Sequence, residues 1–166
     1  MNEINSYQNI KESVLMVSNI EMLGMLDELL GDGKVVRIRI KGRSMLPFLR
    51  DGVEQVDLST PADKEMIPGA LVLFRYRDVF VLHRIIRRKE NKLMIMGDNV
   101  YQYKEVVTTD QVIGIVRKII YPHGRELSTD SRRWKILSAS WLIIKPVYRL
   151  SLIFIRRSMI LIGVLK

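Results

Sequence analysis

The chain contains no cysteine. Disulfide bonds, thiol nucleophiles and thiolate metal sites are therefore excluded, and the redox compartment is left open. Histidine is scarce as well: His83 and His123 are the 2 in 166 residues, which leaves no histidine-rich metal centre to expect. Long apolar runs are missing. In the C-terminal part the longest stretch free of charge and proline is nine residues, 136–144, whereas a spanning helix needs about 20 mostly apolar residues. Near the N-terminus, Lys11, Glu12, Glu21, Asp27 and Glu28 interrupt the apolar positions. That stretch is read as neither a secretory signal nor an anchor. No internal repeat, glycine-rich phosphate loop or low-complexity tract is present.

Acidic side chains are few in the last third. Residues 117–166 hold 11 basic and 2 acidic residues, whereas residues 1–116 hold 16 of each, so the whole net charge of +9 belongs to the C-terminal part. A basic surface spread over the chain would suggest nucleic acid. Charge confined to an apolar tail points instead to anionic lipid, and no nucleic-acid partner is expected. Within that tail Trp134, Trp141 and many aliphatic residues accompany Lys145, Arg149 and Arg156, whose steps of four and seven share one helical face. Residues 134–166 are thus predicted to be an interfacial, membrane-associating helical tail.

Between the termini the pattern is that of strands. Residues 7–30 carry Ile10, Val14, Val17, Met22, Met25, Leu26 and Leu29 at helical spacing, with Gly31 as a stop. Strands are predicted over 35–41, 53–58, 71–76, 79–86, 93–96 and 112–120, with a hairpin turn at Arg77-Asp78. The division that follows is a helical segment over 1–33, a β domain over 34–121, a linker over 122–133 and the tail. The predicted class is mainly β: a small coiled antiparallel sheet or barrel, with an amphipathic helix before it and a basic apolar helix after it.

Three motifs in the β domain carry chemistry: Gly42-Arg43-Ser44-Met45-Leu46-Pro47, Leu82-His83-Arg84-Ile85-Ile86 and Gly97-Asp98-Asn99. A serine hydroxyl attacks a carbonyl only when a base removes its proton. Histidine suits that task near neutral pH, and a carboxylate can fix the imidazole's tautomer. A backbone N–H at or beside Ser44 would serve as an oxyanion donor.

At these residues the chain resembles the type I signal peptidases, within the clan that also holds LexA-like self-cleaving repressors. The family's Ser-Met-x-Pro is present as Ser44-Met45-Leu46-Pro47. The endoplasmic-reticulum and archaeal form has histidine as base, and this chain reads Val81-Leu82-His83-Arg84-Ile85. Gly97-Asp98-Asn99 matches the family's Gly-Asp-Asn turn, and residues 111–116 are similar to the strand that closes its core. The resemblance spans residues 35–120. It implies a serine endopeptidase that cuts an extended leader or signal-type peptide near a small residue, with Ser44 as nucleophile, His83 as base, and no metal or cofactor.

The family's further aspartate is missing, because residues 100–105 read Val-Tyr-Gln-Tyr-Lys-Glu. Asp98 is taken as the orienting acid, with Glu105, Asp110 or an unassisted Ser-His pair as alternatives. Ser128-Thr129-Asp130-Ser131-Arg132 resembles a bacterial signal-peptidase string that directly follows Gly-Asp-Asn. Here a predicted strand intervenes, and the segment is read as a polar linker. His123, between Pro122 and Gly124, reads as a surface turn residue.

Two other functions are weighed. A LexA-like self-cleaving regulator needs a helix-turn-helix and an Ala-Gly or Cys-Gly bond upstream of the serine, yet the first alanine is Ala62. A degenerate peptidase fold that binds peptide without cutting it draws support from the missing aspartate. Without an N-terminal anchor, the expected location is peripheral on a membrane, with the catalytic domain on the cytoplasmic side.

Overall fold

The computed structural model describes residues 19–76, 79–101 and 103–145. The earlier part of the expected N-terminal helix, the Arg77-Asp78 turn, and the tail beyond residue 145 with Arg149 and Arg156 lie outside the described residues. A helix α1 (Asn19–Gly31) leads into eight strands: β1 (Val36–Arg39), β2 (Gln55–Ser59), β3 (Leu71–Tyr76), β4 (Val79–Lys89), β5 (Lys92–Met96), β6 (Glu105–Thr108), β7 (Val112–Ile120) and β8 (Glu126–Ser128). A second helix, α2, runs over residues 132–145.

All strand pairs are antiparallel, in the order β1-β2-β7-β3-β4-β5-β6, with β8 added to β7. The fold is therefore mainly β. The strands form an open sheet rather than the barrel that the sequence allowed as an alternative. β7 is central because its two halves serve different neighbours. Residues Ile115–Ile120 pair with β2, while Val112–Ile115 pair with β3.

Alternation along β3 explains why both faces are covered. Leu71 and Leu73 join one buried cluster with Leu26, Leu30, Met45, Leu49, Leu58, Val116, Ile119 and Trp134. Val72 and Phe74 join a second with Ile85, Leu93, Ile95, Val107, Val112 and Ile115. Successive side chains of a strand point to opposite faces, so an unbroken apolar run marks a strand buried on both. α1 belongs to the first cluster through Leu26 and Leu30, and is tied down by an Asp27–Arg75 ion pair and by the Thr60 hydroxyl on the Leu30 carbonyl.

The C-terminal segments differ from expectation. Residues 122–133 form more than a linker, since β8 pairs with β7 and the Ser131 hydroxyl accepts from the Trp134 amide at 3.2 Å, capping α2. Residues 134–145 do not stand apart as a tail. Trp134, Ser138 and Lys145 are buried against the β domain, while Ile136, Leu137, Ile143 and Ile144 are exposed. No helix among the described residues is long and apolar enough to cross a membrane.

Candidate active site

Ser44 sits in the long connection between β1 and β2. The neck of this loop is closed by Ile40 N–H on Glu54 O at 3.0 Å and Gly52 N–H on Ile40 O at 2.8 Å. Gly42, at φ +90°, takes a conformation that L side chains rarely adopt, and its amide donates to Asp51 Oδ1 at 2.9 Å. Met45 and Leu49 are buried and pin the turn to the core. Buried Glu54 accepts from the Arg50 amide at 2.5 Å and from its guanidinium at 2.6 and 2.8 Å, which fixes the exit. Phe48 packs edge-on between Trp134 at 5.5 Å and Trp141 at 5.4 Å, so α2 supports the same loop.

Strand register brings the other motifs to this loop. On β4, His83 lies opposite Val72 and Arg84 lies opposite both Leu71 and Met96. Because β5 runs antiparallel to β4, the residue after Met96 arrives beside His83. That residue is Gly97. A Cβ at position 97 would stand 2.7 Å from the Ser44 carbonyl oxygen and 2.9 Å from His83 Nε2, both far inside normal contact. Serine loop and imidazole are thus gathered around one glycine. The Asn99 amide donates to the Ser44 carbonyl at 2.7 Å, and its side-chain amide donates to the Arg43 carbonyl at 3.2 Å.

β6 then returns antiparallel to β5, with Glu105 opposite Ile95. This places Glu105 Oε2 3.3 Å from His83 Nδ1. His83 is buried, and burial draws its pKa below the ordinary value. The charge and hydrogen bond of Glu105 and the charge of Asp98 act in the opposite sense, while Lys145 adds to the lowering.

Asp98 has a different neighbour. Its two oxygens accept from Arg84 Nε and Nη2, each at 2.7 Å, in a pair that is 1–2% exposed. Arg84 also donates to the Gly69 carbonyl at 3.0 Å and to the Ser138 hydroxyl, and its guanidinium lies 5.2 Å from the Phe48 and Trp134 rings. Of the three acids named from the sequence, Glu105 is the one at the imidazole. Asp98 binds the next residue along the strand, and Asp110 is exposed in a short 3-10 turn, Thr109–Gln111. His123 is exposed at φ +65°, in a turn.

Sequence reasoning did not single out Lys145 as a site residue. Its ammonium donates to the Gly97 carbonyl at 2.6 Å and lies 5.6 Å from the Tyr101 ring. The spacing of Trp134, Ser138, Trp141 and Lys145, at steps of four, three and four, describes one helical face and was the available signal. Among the described residues, no group of three or more His, Asp or Glu side chains is gathered to hold a metal. The Ser44 hydroxyl makes no hydrogen bond among the described residues, and the Ser44 and Met45 amides likewise donate to none of them. Comparison of the chain with protein-family models and with curated proteins found no match.

Proposed function

We propose that the protein is a serine endopeptidase of the signal-peptidase kind, acting on an extended peptide segment, with Ser44 as nucleophile and His83 as general base. The observation that carries this reading is the convergence on Gly97 of the Ser44 backbone and His83 Nε2, with Glu105 on the far ring nitrogen. In the reaction, Ser44 Oγ attacks the scissile carbonyl carbon as its proton passes to His83 Nε2. The amides of Ser44 and Met45, which donate to none of the described residues, supply donors for the oxyanion. Collapse breaks the C–N bond, His83 returns the proton to the leaving amine, and water deprotonated by His83 then hydrolyses the acyl-serine. Glu105 is the orienting acid, holding the tautomer in which Nε2 accepts. Asp98 serves the site indirectly, by pinning Arg84 beneath the turn.

The exposed apolar residues of α2, flanked by exposed Arg132, Arg133 and Lys135, support peripheral attachment to an anionic membrane. The test is labelling of wild type, Ser44→Ala and His83→Ala with a serine-directed acylating probe, with anionic liposomes present. Labelling of wild type alone supports the peptidase. Absence of labelling, where a signal peptidase control labels, favours a peptide-binding module of the same fold.

A further inference from the structure

Among the described residues, Lys145 is a buried cation near the candidate site whose role the peptidase chemistry leaves unassigned. It comes from α2, outside the β1–β2 loop that carries Ser44 and the strands that carry His83 and Glu105, and reaches the site at the backbone of Gly97. That residue separates the serine loop from the imidazole, with no room for a side chain on either flank. Whatever holds the Gly97 carbonyl therefore sets the spacing between nucleophile and base. A methionine or leucine would fill the same volume without placing a charge under cover.

Resting on the peptidase reading above, we infer that Lys145 is a positioning residue, which anchors the Gly97 carbonyl and presents a positive charge to the His83 imidazole. The charged and titratable groups around the pair are Glu105 on β6, Asp98 in the turn, Arg84 on β4 and Lys104 before β6. Burial pulls Lys145 down to about 8, against the attraction of Asp98 and with the repulsion of Arg84 and Lys104. The unfolded chain therefore binds more protons than the folded one between that value and the ordinary lysine value, and the charge costs stability at neutral pH. Its contribution lies in the site. The cation opposes protonation of His83, keeping the base free, and holds the turn against which Ser44 is seated.

The chain offers a direct test because His83 and His123 are its 2 histidines. Their ring-proton resonances are followed by NMR against pH in wild type, Lys145→Met, Lys145→Gln and Lys145→Arg, with exposed His123 as internal reference. The same proteins are acylated at Ser44 by the serine-directed probe. In the Met and Gln variants His83 titrates at higher pH than in wild type, His123 is unmoved, and acylation slows at least tenfold. The Arg variant recovers part of both, and Lys145→Met melts no lower than wild type. If folded Met and Gln variants react within twofold of wild type, or leave the His83 titration where it was, Lys145 has no positioning role. A wild type acylated through Ser44 alongside an equally reactive Lys145→Met sinks this inference alone. A wild type that is never acylated sinks the peptidase reading, and this one with it.

Discussion

Ser44 and Asn99 are joined backbone to backbone, the amide of Asn99 donating to the carbonyl of Ser44 at 2.7 Å. The Ser44 loop and the Gly-Asp-Asn turn are therefore one hydrogen-bonded unit, although 55 positions of sequence separate Ser44 from Asn99. Gly97, the first residue of that turn, is where the unit is tightest.

Gly97→Ala is expected to force this unit apart. The new methyl meets backbone oxygen on one side and the His83 ring on the other, and the Ser44 carbonyl cannot swing away without breaking its bond to Asn99. A displacement of about 1 Å between reacting groups costs on the order of 100-fold in rate. The acylation rate of Ser44 should fall by about that factor, with circular dichroism unchanged.

Glu105→Gln and Asp98→Asn separate contact with the imidazole, the role expected of Asp98, from the pairing with Arg84 that Asp98 makes. Loss of the Glu105 charge removes a force that raises the His83 pKa, so the acid limb of kcat/KM moves to lower pH while its plateau drops. The fold should change little. Asp98→Asn leaves Arg84 buried without its counter-charge and is expected to cost about 3–5 kcal/mol of stability. Thermal melts and pH–rate profiles on both variants check the contrast.

The pH dependence of wild type follows from two groups lowered in the folded state. Burial lowers His83, so its neutral form, the base of the proposed mechanism, persists below the ordinary histidine range, and acylation of Ser44 should hold to a correspondingly lower pH. For stability, the unfolded chain takes up protons first. The contribution of neutral His83 is present above about pH 6.5 and is lost as pH falls from there. Glu65, held at about 2 chiefly by its hydrogen bonds to Arg117, adds a second loss as pH drops from the ordinary carboxylate range toward that value. Denaturant melts across this range should show stability falling on the acid side in two stages.

Ile143→Glu and Ile144→Glu probe the outer face of α2. Both side chains are more than half exposed, so the changes should alter stability by no more than about 0.5 kcal/mol. Binding to anionic vesicles should fall severalfold in flotation assays, and acylation of Ser44 in solution should stay at the wild-type rate.

Much of this architecture was legible in the residues. β3 and β7 were read at the bounds they take, because Leu71, Leu73, Val116 and Ile119 face one buried cluster while Val72, Phe74, Val112 and Ile115 face the other. β6 and β8 were missed. Each is too short to show a period, and β8 exists because the β7 edge beyond β3 is free to pair. Ser44, His83 and the turn were found through their motifs, but the acid at Nδ1 was not fixed. Alternation held one clue: His83 and Arg84 are strand neighbours and project to opposite faces, so the acid that binds one is ill placed for the other. Lys145 was grouped by charge with Arg149 and Arg156, whereas its burial depends on the tryptophans that dock α2. That docking is a property of the folded surface, which a helical period alone does not carry.

The central place of β7 has a consequence for timing. β2 is complete at Ser59 and can pair with β1, but its second partner, β7, begins at Val112, and α2 seats its tryptophans later still. As a chain emerges from its N-terminus, the serine loop is synthesised long before either support exists. Ser44 therefore spends the whole of that interval without the neighbours that the folded sheet and α2 give its loop. Insertion of β7 between β2 and β3, followed by docking of a helix made near the end of the described chain, is what completes its surroundings.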